Sequence, residues 1–175
     1  MNMNMNIKQR MKGFSMIELL VAVLVMGIGV LGITALQMVS LQNNRGALLR
    51  AEAVQLAYDM MDRIRANPGS DYDGLGLGDA PPAATDCQAN VCTEAQMVGF
   101  DQAVWKCSLG THNGDAGCIA LRAANVLPPM TDQPGLPSGD GSIAVNAGTG
   151  VVTISVRWQE PNEPNTTTIS IDSQG

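Results

Sequence analysis

The chain has 175 residues and a formal net charge of −6, room for one modest domain plus an extended appendage. Residues 1–66 hold seven Lys/Arg against four Asp/Glu, and residues 67–175 hold three against twelve. An acidic second half argues against nucleic-acid binding, which needs cationic surface to displace counterions, while two Trp, two Tyr and two Phe beside 19 Gly and 9 Pro point to a small core with long irregular loops rather than a large enzyme scaffold.

The first element is a basic leader, with Lys8, Arg10 and Lys12, followed by an apolar run. From Leu19 to Val39 the interruptions are Gly27, Gly29, Gly32, Thr34 and Gln37. As a helix, Leu19–Leu36 spans about 27 Å at 1.5 Å per residue, close to a hydrocarbon core of roughly 30 Å. The preceding cations orient the chain with its start in the cytoplasm and everything after residue 40 outside. A secretory signal ends in a small-x-small cleavage site behind its apolar core, but here Thr34-Ala35-Leu36-Gln37 runs on in a helical pattern. Gly13-Phe14, at the polar-to-apolar border, is the better-placed scissile bond. Glu18 stands out as the one carboxylate at the head of this run. Deep in a bilayer such a group costs about 2.5–3.5 kcal/mol and calls for a partner; the alternative is snorkelling to the interface.

Gly13-Phe14-Ser15-Met16-Ile17-Glu18 set against an apolar run resembles the class III signal of type IV pilins and pseudopilins. The resemblance implies that a membrane peptidase cuts after Gly13 on the cytoplasmic side and methylates the new terminus on Phe14. It also implies the partner of Glu18: the Phe14 amine, its own or that of a neighbouring subunit. That cation exists only after cutting, so processing gates assembly.

From Gln42 to Asn67 there is no Pro, and Leu49, Ala53, Leu56, Met60 and Ile64 recur at helical spacing as one apolar stripe. Arg50, Glu52, Asp59, Asp62, Arg63 and Arg65 fill the other faces, with Asp59 and Asp62 read as surface ion-pair partners of Arg63 and Arg65. Asn67-Pro68-Gly69 ends the helix. Phe14–Asn67 as one helix would be roughly 80 Å long. The sequence thus divides into a leader (1–13, removed), a transmembrane and assembly helix (14–40), an amphipathic helix (41–67) and a periplasmic part (68–175). Gly27, Gly29 and Gly32 lower helix stability and fit either close packing and local unwinding in a filament or plain tolerance of Gly in a membrane helix.

Asp71, Asp73 and Asp79 lie in the loop to Cys92 as solvated carboxylates, since the alternating oxygen ligands ending in Glu that a calcium loop needs are missing. Thr93-Glu94-Ala95-Gln96 predicts a capping box opening a helix that ends near Leu109-Gly110. Residues 142–145 and Val151–Trp158 alternate as two strands of a hairpin, and Thr167–Ile171 reads as a third. The predicted fold class is α+β, a long N-terminal helix against a small antiparallel sheet. Leu36-Gln37, Gln42-Asn43-Asn44, Ala57-Tyr58-Asp59-Met60 with Asp62 to Asn67, Cys92-Thr93 leading to Asp101 and Trp105, and Val152–Trp158 resemble the PilV type of minor pilin. Major pilins place a Pro in the second half of the apolar segment; Gly32 to Leu36 lacks one, which argues against a major subunit.

The four cysteines all fall between residues 87 and 118, in a region sent to an oxidising compartment. Of three possible connectivities, Cys87–Cys92 with Cys107–Cys118 closes short loops and is preferred over the two alternatives. Each bridge would stabilise by about 2–4 kcal/mol. Cys107, His112 and Cys118 match no common zinc spacing, so no metal and no cofactor are expected. With one His, no visible catalytic triad and no phosphate loop, the chain reads as a structural subunit rather than an enzyme. The resemblance implies a minor pilin held first in the inner membrane and then in a pilus. Its implied partners are other minor and major pilins, the prepilin peptidase and methyltransferase, and the inner-membrane assembly platform. The alternatives are a minor pseudopilin of type II secretion and a static membrane-anchored periplasmic binding domain.

Overall fold

The computed structural model describes residues 13–161 and 163–174. Contacts divide the chain into two compact units, Met1–Asn43 and Asn44–Gly175. Helix α1 runs from Met16 to Ala66 and contributes residues to each.

In the first unit α1 is apolar on every side and every described residue is exposed. It is long and apolar enough to cross a membrane. The Thr34 hydroxyl donates back to the carbonyls of Val30 and Leu31 at 3.1 and 2.9 Å, so that side chain presents no unsatisfied donor to an apolar surrounding.

In the second unit α1 becomes one-sided. Ala53, Leu56, Ala57, Met60 and Met61 are buried at three- and four-residue steps, the stripe that a helix lays on a core. Helix α2 spans Glu94–Leu109 and opens with the predicted capping box: the Thr93 hydroxyl accepts from Gln96 N–H at 3.3 Å and the Gln96 amide oxygen accepts from Thr93 N–H at 2.9 Å. Gly110 closes it at φ +126°, where an added Cβ would strike the Leu136 carbonyl, so that position has room for no side chain. A short third helix, α3 (Ala116–Ala123), follows; it was not expected from the sequence.

Strands β1 (Asp140–Val145), β2 (Val151–Gln159) and β3 (Thr166–Gln174) form an antiparallel sheet in the order β1-β2-β3. Strand β2 alternates as predicted, with Val152, Ile154, Val156 and Trp158 buried. The β1–β2 turn is held by Asn146, whose side-chain oxygen accepts from the N–H groups of Gly148 and Thr149 at 2.9 and 3.1 Å. Strand β3 is longer than the predicted Thr167–Ile171, because its hydroxyl residues continue the ladder as far as Val151↔Gln174.

Helix α2 lies between two apolar clusters. Trp105 and Leu109 join the α1 stripe and the sheet, while Phe100, Ala103, Val104 and Cys107 meet Cys118, Leu121 and Leu127 around α3. A helix buried on two sides must also bury polar residues, and α2 carries Asp101, Lys106 and Ser108 inside.

Candidate functional site

Gly13, Phe14 and Ser15 are non-helical, and α1 begins at Met16. The Ser15 carbonyl accepts from Glu18 N–H at 3.1 Å and from Leu19 N–H at 3.3 Å. Gly13 has open space around the position of a side chain, so its peptide bond to Phe14 is unobstructed. Glu18 falls in the first turn of α1, where the helix dipole favours a negative charge. Among the described residues it makes no ion pair, and Phe14 is 79 % exposed. In the encoded chain the Phe14 nitrogen belongs to a peptide bond with Gly13 and carries no charge. Lys8, Arg10 and Lys12, expected to set the membrane orientation, lie outside the described residues.

The second unit contains two polar networks whose long-range partners sequence reading did not find; of their bonds it expected only Arg63 with Asp59. In the first, Lys106 of α2 is fully buried and its ammonium meets Asp140 Oδ1 at 2.7 Å and the Gly76 carbonyl at 2.8 Å. The same carboxylate accepts from the N–H groups of Gly78 and Gly141 at 2.5 and 2.8 Å, with Arg157 at 3.5 Å. Burial pushes the Asp140 pKa up, but the Lys106 bond and the two N–H donors outweigh it and hold the carboxyl below its ordinary value. This pair ties α2, the 76–78 loop and the start of β1 to one point.

In the second network Arg63 bridges Asp59 on its own helix and Asp101 of α2, each at 3.0 Å. The Tyr72 hydroxyl donates to Asp101 Oδ2 at 2.8 Å. Burial opposes charge on Arg63, but the bonds to Asp59 and Asp101 prevail and raise its pKa. Burial, aided by Asp101, pushes the Tyr72 phenol up to about 12. Trp105 adds a third tie, donating to the Leu56 carbonyl of α1 at 2.8 Å.

Of the loop acids expected to be solvated, Asp71 and Asp79 bond within their own loop, while Asp73 reaches the end of β1. Asp71 accepts from Asp73 N–H at 3.0 Å, Asp73 from Val145 N–H at 2.7 Å and Asp79 from Gly76 N–H at 2.6 Å. Asp59 and Asp62 pair with Arg63 and Arg65. The cysteines pair as Cys87–Cys92 and Cys107–Cys118, the second joining α2 to α3. That bond occupies two of the three candidate zinc ligands, and the third, His112, meets Asp115 at 2.8 Å. Signals for what was missed are faint: Asp115 before Ala116-Gly117-Cys118-Ile119-Ala120-Leu121 resembles an N-cap opening a helix, and a Lys inside an apolar helical stripe hints at a buried partner.

The described residues thus include an exposed apolar helix with a carboxylate in its first turn, and a second unit held by buried ion pairs and disulfides. Two protein families match parts of the chain. Residues 8–34 match a prokaryotic N-terminal methylation motif, and residues 35–103 match a Tt1218-like family described as type IV pilin Tt1218. Neither the curated proteins nor the solved structures compared gave a match. The chain is thus similar to a type IV pilin family over residues 35–103, and that match begins where the one to the methylation motif ends.

Proposed function

We propose that the chain is a minor pilin, a PilV-type structural and assembly subunit of the type IV pilus. The observation that carries this reading is Glu18: a lone carboxylate in the first turn of a helix that is apolar and exposed all round, inside the stretch matching the methylation motif. The leader through Gly13 is removed by the prepilin peptidase, and the Phe14 amine so created is methylated. The mature chain stays in the inner membrane with its second unit in the periplasm until the assembly platform extracts it. Glu18 then pairs with the Phe14 amine of a neighbouring subunit, a charge–charge bond that in a low-dielectric filament core far exceeds its worth in water. Other pilins supply the apolar partners that the exposed helix lacks.

Glu18→Ala tests the pairing. Cleavage continues and the mature chain accumulates in the membrane, while its amount in sheared filaments falls several-fold. Undiminished incorporation would remove the pairing, and mature chain that never enters filaments, even in the wild type, would leave a static anchor.

A further inference from the structure

Between Glu18 and Arg45 the sequence carries no charge, so Arg45 is the first ion after the apolar run. It stands four residues beyond Leu41, about 6 Å of helix at 1.5 Å per residue. The headgroup layer on each side of a bilayer is roughly 5–8 Å thick, so with the apolar run in a membrane Arg45 falls at the level of the phosphates. A long cationic side chain at that level reaches the phosphates while its methylenes stay on apolar surface. Arg45 is exposed and, among the described residues, makes no ion pair. With Leu48, Leu49, Pro137 and Pro161 it lines a cleft of about 230 Å³ in the second unit. The walls come from three segments that are fastened together: Arg50 meets Glu160 at 3.0 Å, which holds the Pro161 turn to α1, and Gln159 N–H donates to the Pro137 carbonyl at 2.8 Å. Four of the five lining residues are apolar. Leu48 is 69 % exposed, and Pro137 and Pro161 are exposed with it.

We infer that this cleft rests on the outer leaflet of the membrane, with Arg45 on a phospholipid phosphate and Leu48, Pro137 and Pro161 against the glycerol esters and first acyl methylenes. The inference rests on the membrane-held state proposed for the chain. The occupant follows from the tether. Arg45 is bound by sequence to within about one helical turn of the end of the apolar run, so phospholipid meets the cleft at high effective concentration and a weak contact suffices. An exposed apolar lining around a single cation suits the layer where acyl chains give way to phosphates. The Pro161 turn also carries Glu160, whose charge Arg50 meets, and exposed Glu163, which favours a headgroup whose phosphate is accompanied by an ammonium. The contact belongs to the membrane-held chain, and extraction has to break it.

Nitroxide quenching of the full-length chain in vesicles of phosphatidylethanolamine and phosphatidylcholine tests the contact. All native cysteines are paired, so a single introduced one carries the fluorophore. Pro137→Cys reports the cleft. Ala95→Cys, exposed in the first turn of α2, reports the far end of a helix about 24 Å long, whose last residue, Leu109, accepts from Leu136 N–H at 2.8 Å. Leu31→Cys, with the nitroxide on the acyl chains, reports insertion itself. With the nitroxide on the headgroups, the Pro137→Cys label should be quenched several-fold more than the Ala95→Cys label. Arg45→Glu should remove most of that difference and leave the quenching of Leu31→Cys unchanged. Equal quenching at Pro137→Cys and Ala95→Cys, or a difference that survives Arg45→Glu, would overturn the contact. An unquenched Leu31→Cys label would instead overturn the membrane reading beneath it.

Discussion

Residues 16–43 and 44–66 belong to one helix yet meet opposite conditions. In the first stretch every side chain is exposed and nearly all are apolar; in the second a single stripe from Ala53 to Met61 is buried and the remaining faces carry charge. Burying a side chain such as Leu or Val is worth about 1.5–3 kcal/mol, so the second stretch gains that stabilisation within the chain while the first gains none of it there. One continuous backbone thus carries two solvents' worth of sequence. The first stretch has no apolar partner among the described residues, and the second is a domain element.

That contrast is most easily broken at Lys106. Lys106→Met leaves Asp140 buried without its cation, which should destabilise the second unit by about 3–5 kcal/mol. Trp105 and Trp158 are both fully buried, so denaturant unfolding followed by tryptophan fluorescence reads the loss, and membrane association should be unchanged. Val25→Arg is the mirror experiment: a cation in the middle of the apolar stretch opposes insertion by about 2.5–3.5 kcal/mol. Fractionation should then show chain leaving the membrane while the unfolding midpoint of the second unit holds.

Smaller effects sharpen the picture within the second unit. Replacing both Cys107 and Cys118 by Ala should cost about 3 kcal/mol, and replacing Cys87 and Cys92 about 2 kcal/mol, because the first bridge closes the longer loop. Thermal unfolding under oxidising and reducing conditions compares them. Tyr72→Phe removes one hydrogen bond to Asp101 and should cost about 1 kcal/mol. It should also change the alkaline limb of stability. A phenol whose folded pKa is about 12 against an ordinary value of about 10 contributes stability that is fully present below pH ~10 and fades toward pH ~12. On the acid side Asp140, held below its ordinary value, contributes stability present above pH ~4 that is lost as pH falls through its folded pKa. Unfolding midpoints across pH for the native chain and Tyr72→Phe separate the two limbs, since the substitution lowers the whole curve but should change the pH dependence only of the alkaline limb.

Much of this fold was legible because it rests on local rules. Periodicity marked the stripe of α1, Thr93 and Gln96 marked the start of α2, and alternation marked β2, all signals carried within a few residues of one another. Lys106 with Asp140 and Tyr72 with Asp101 were not legible, since partners 34 and 29 residues apart leave no mark on either neighbourhood. Helix α3 was hidden by its length, eight residues with Gly117 in the first turn, too short for a clear period. The predicted end of β3 at Ile171 leaves out Asp172 and Ser173. In the sheet they are accommodated by Thr153 and by Arg65, which donate to them at 2.6 and 2.8 Å. At the amino terminus the order Gly13, Phe14, Glu18 was readable as a motif, and residues 8–34 match a methylation motif, but the charge that the proposed function pairs with Glu18 would be made by processing and is not encoded.

The central claim is that proteolysis at Gly13 creates the cation that Glu18 requires. Mass spectrometry of the amino-terminal peptide of chain recovered from sheared filaments tests it most directly. The peptide should begin at Phe14 and carry one methyl group on its amine; a peptide still bearing residues 1–13 on filament-borne protein would contradict the claim.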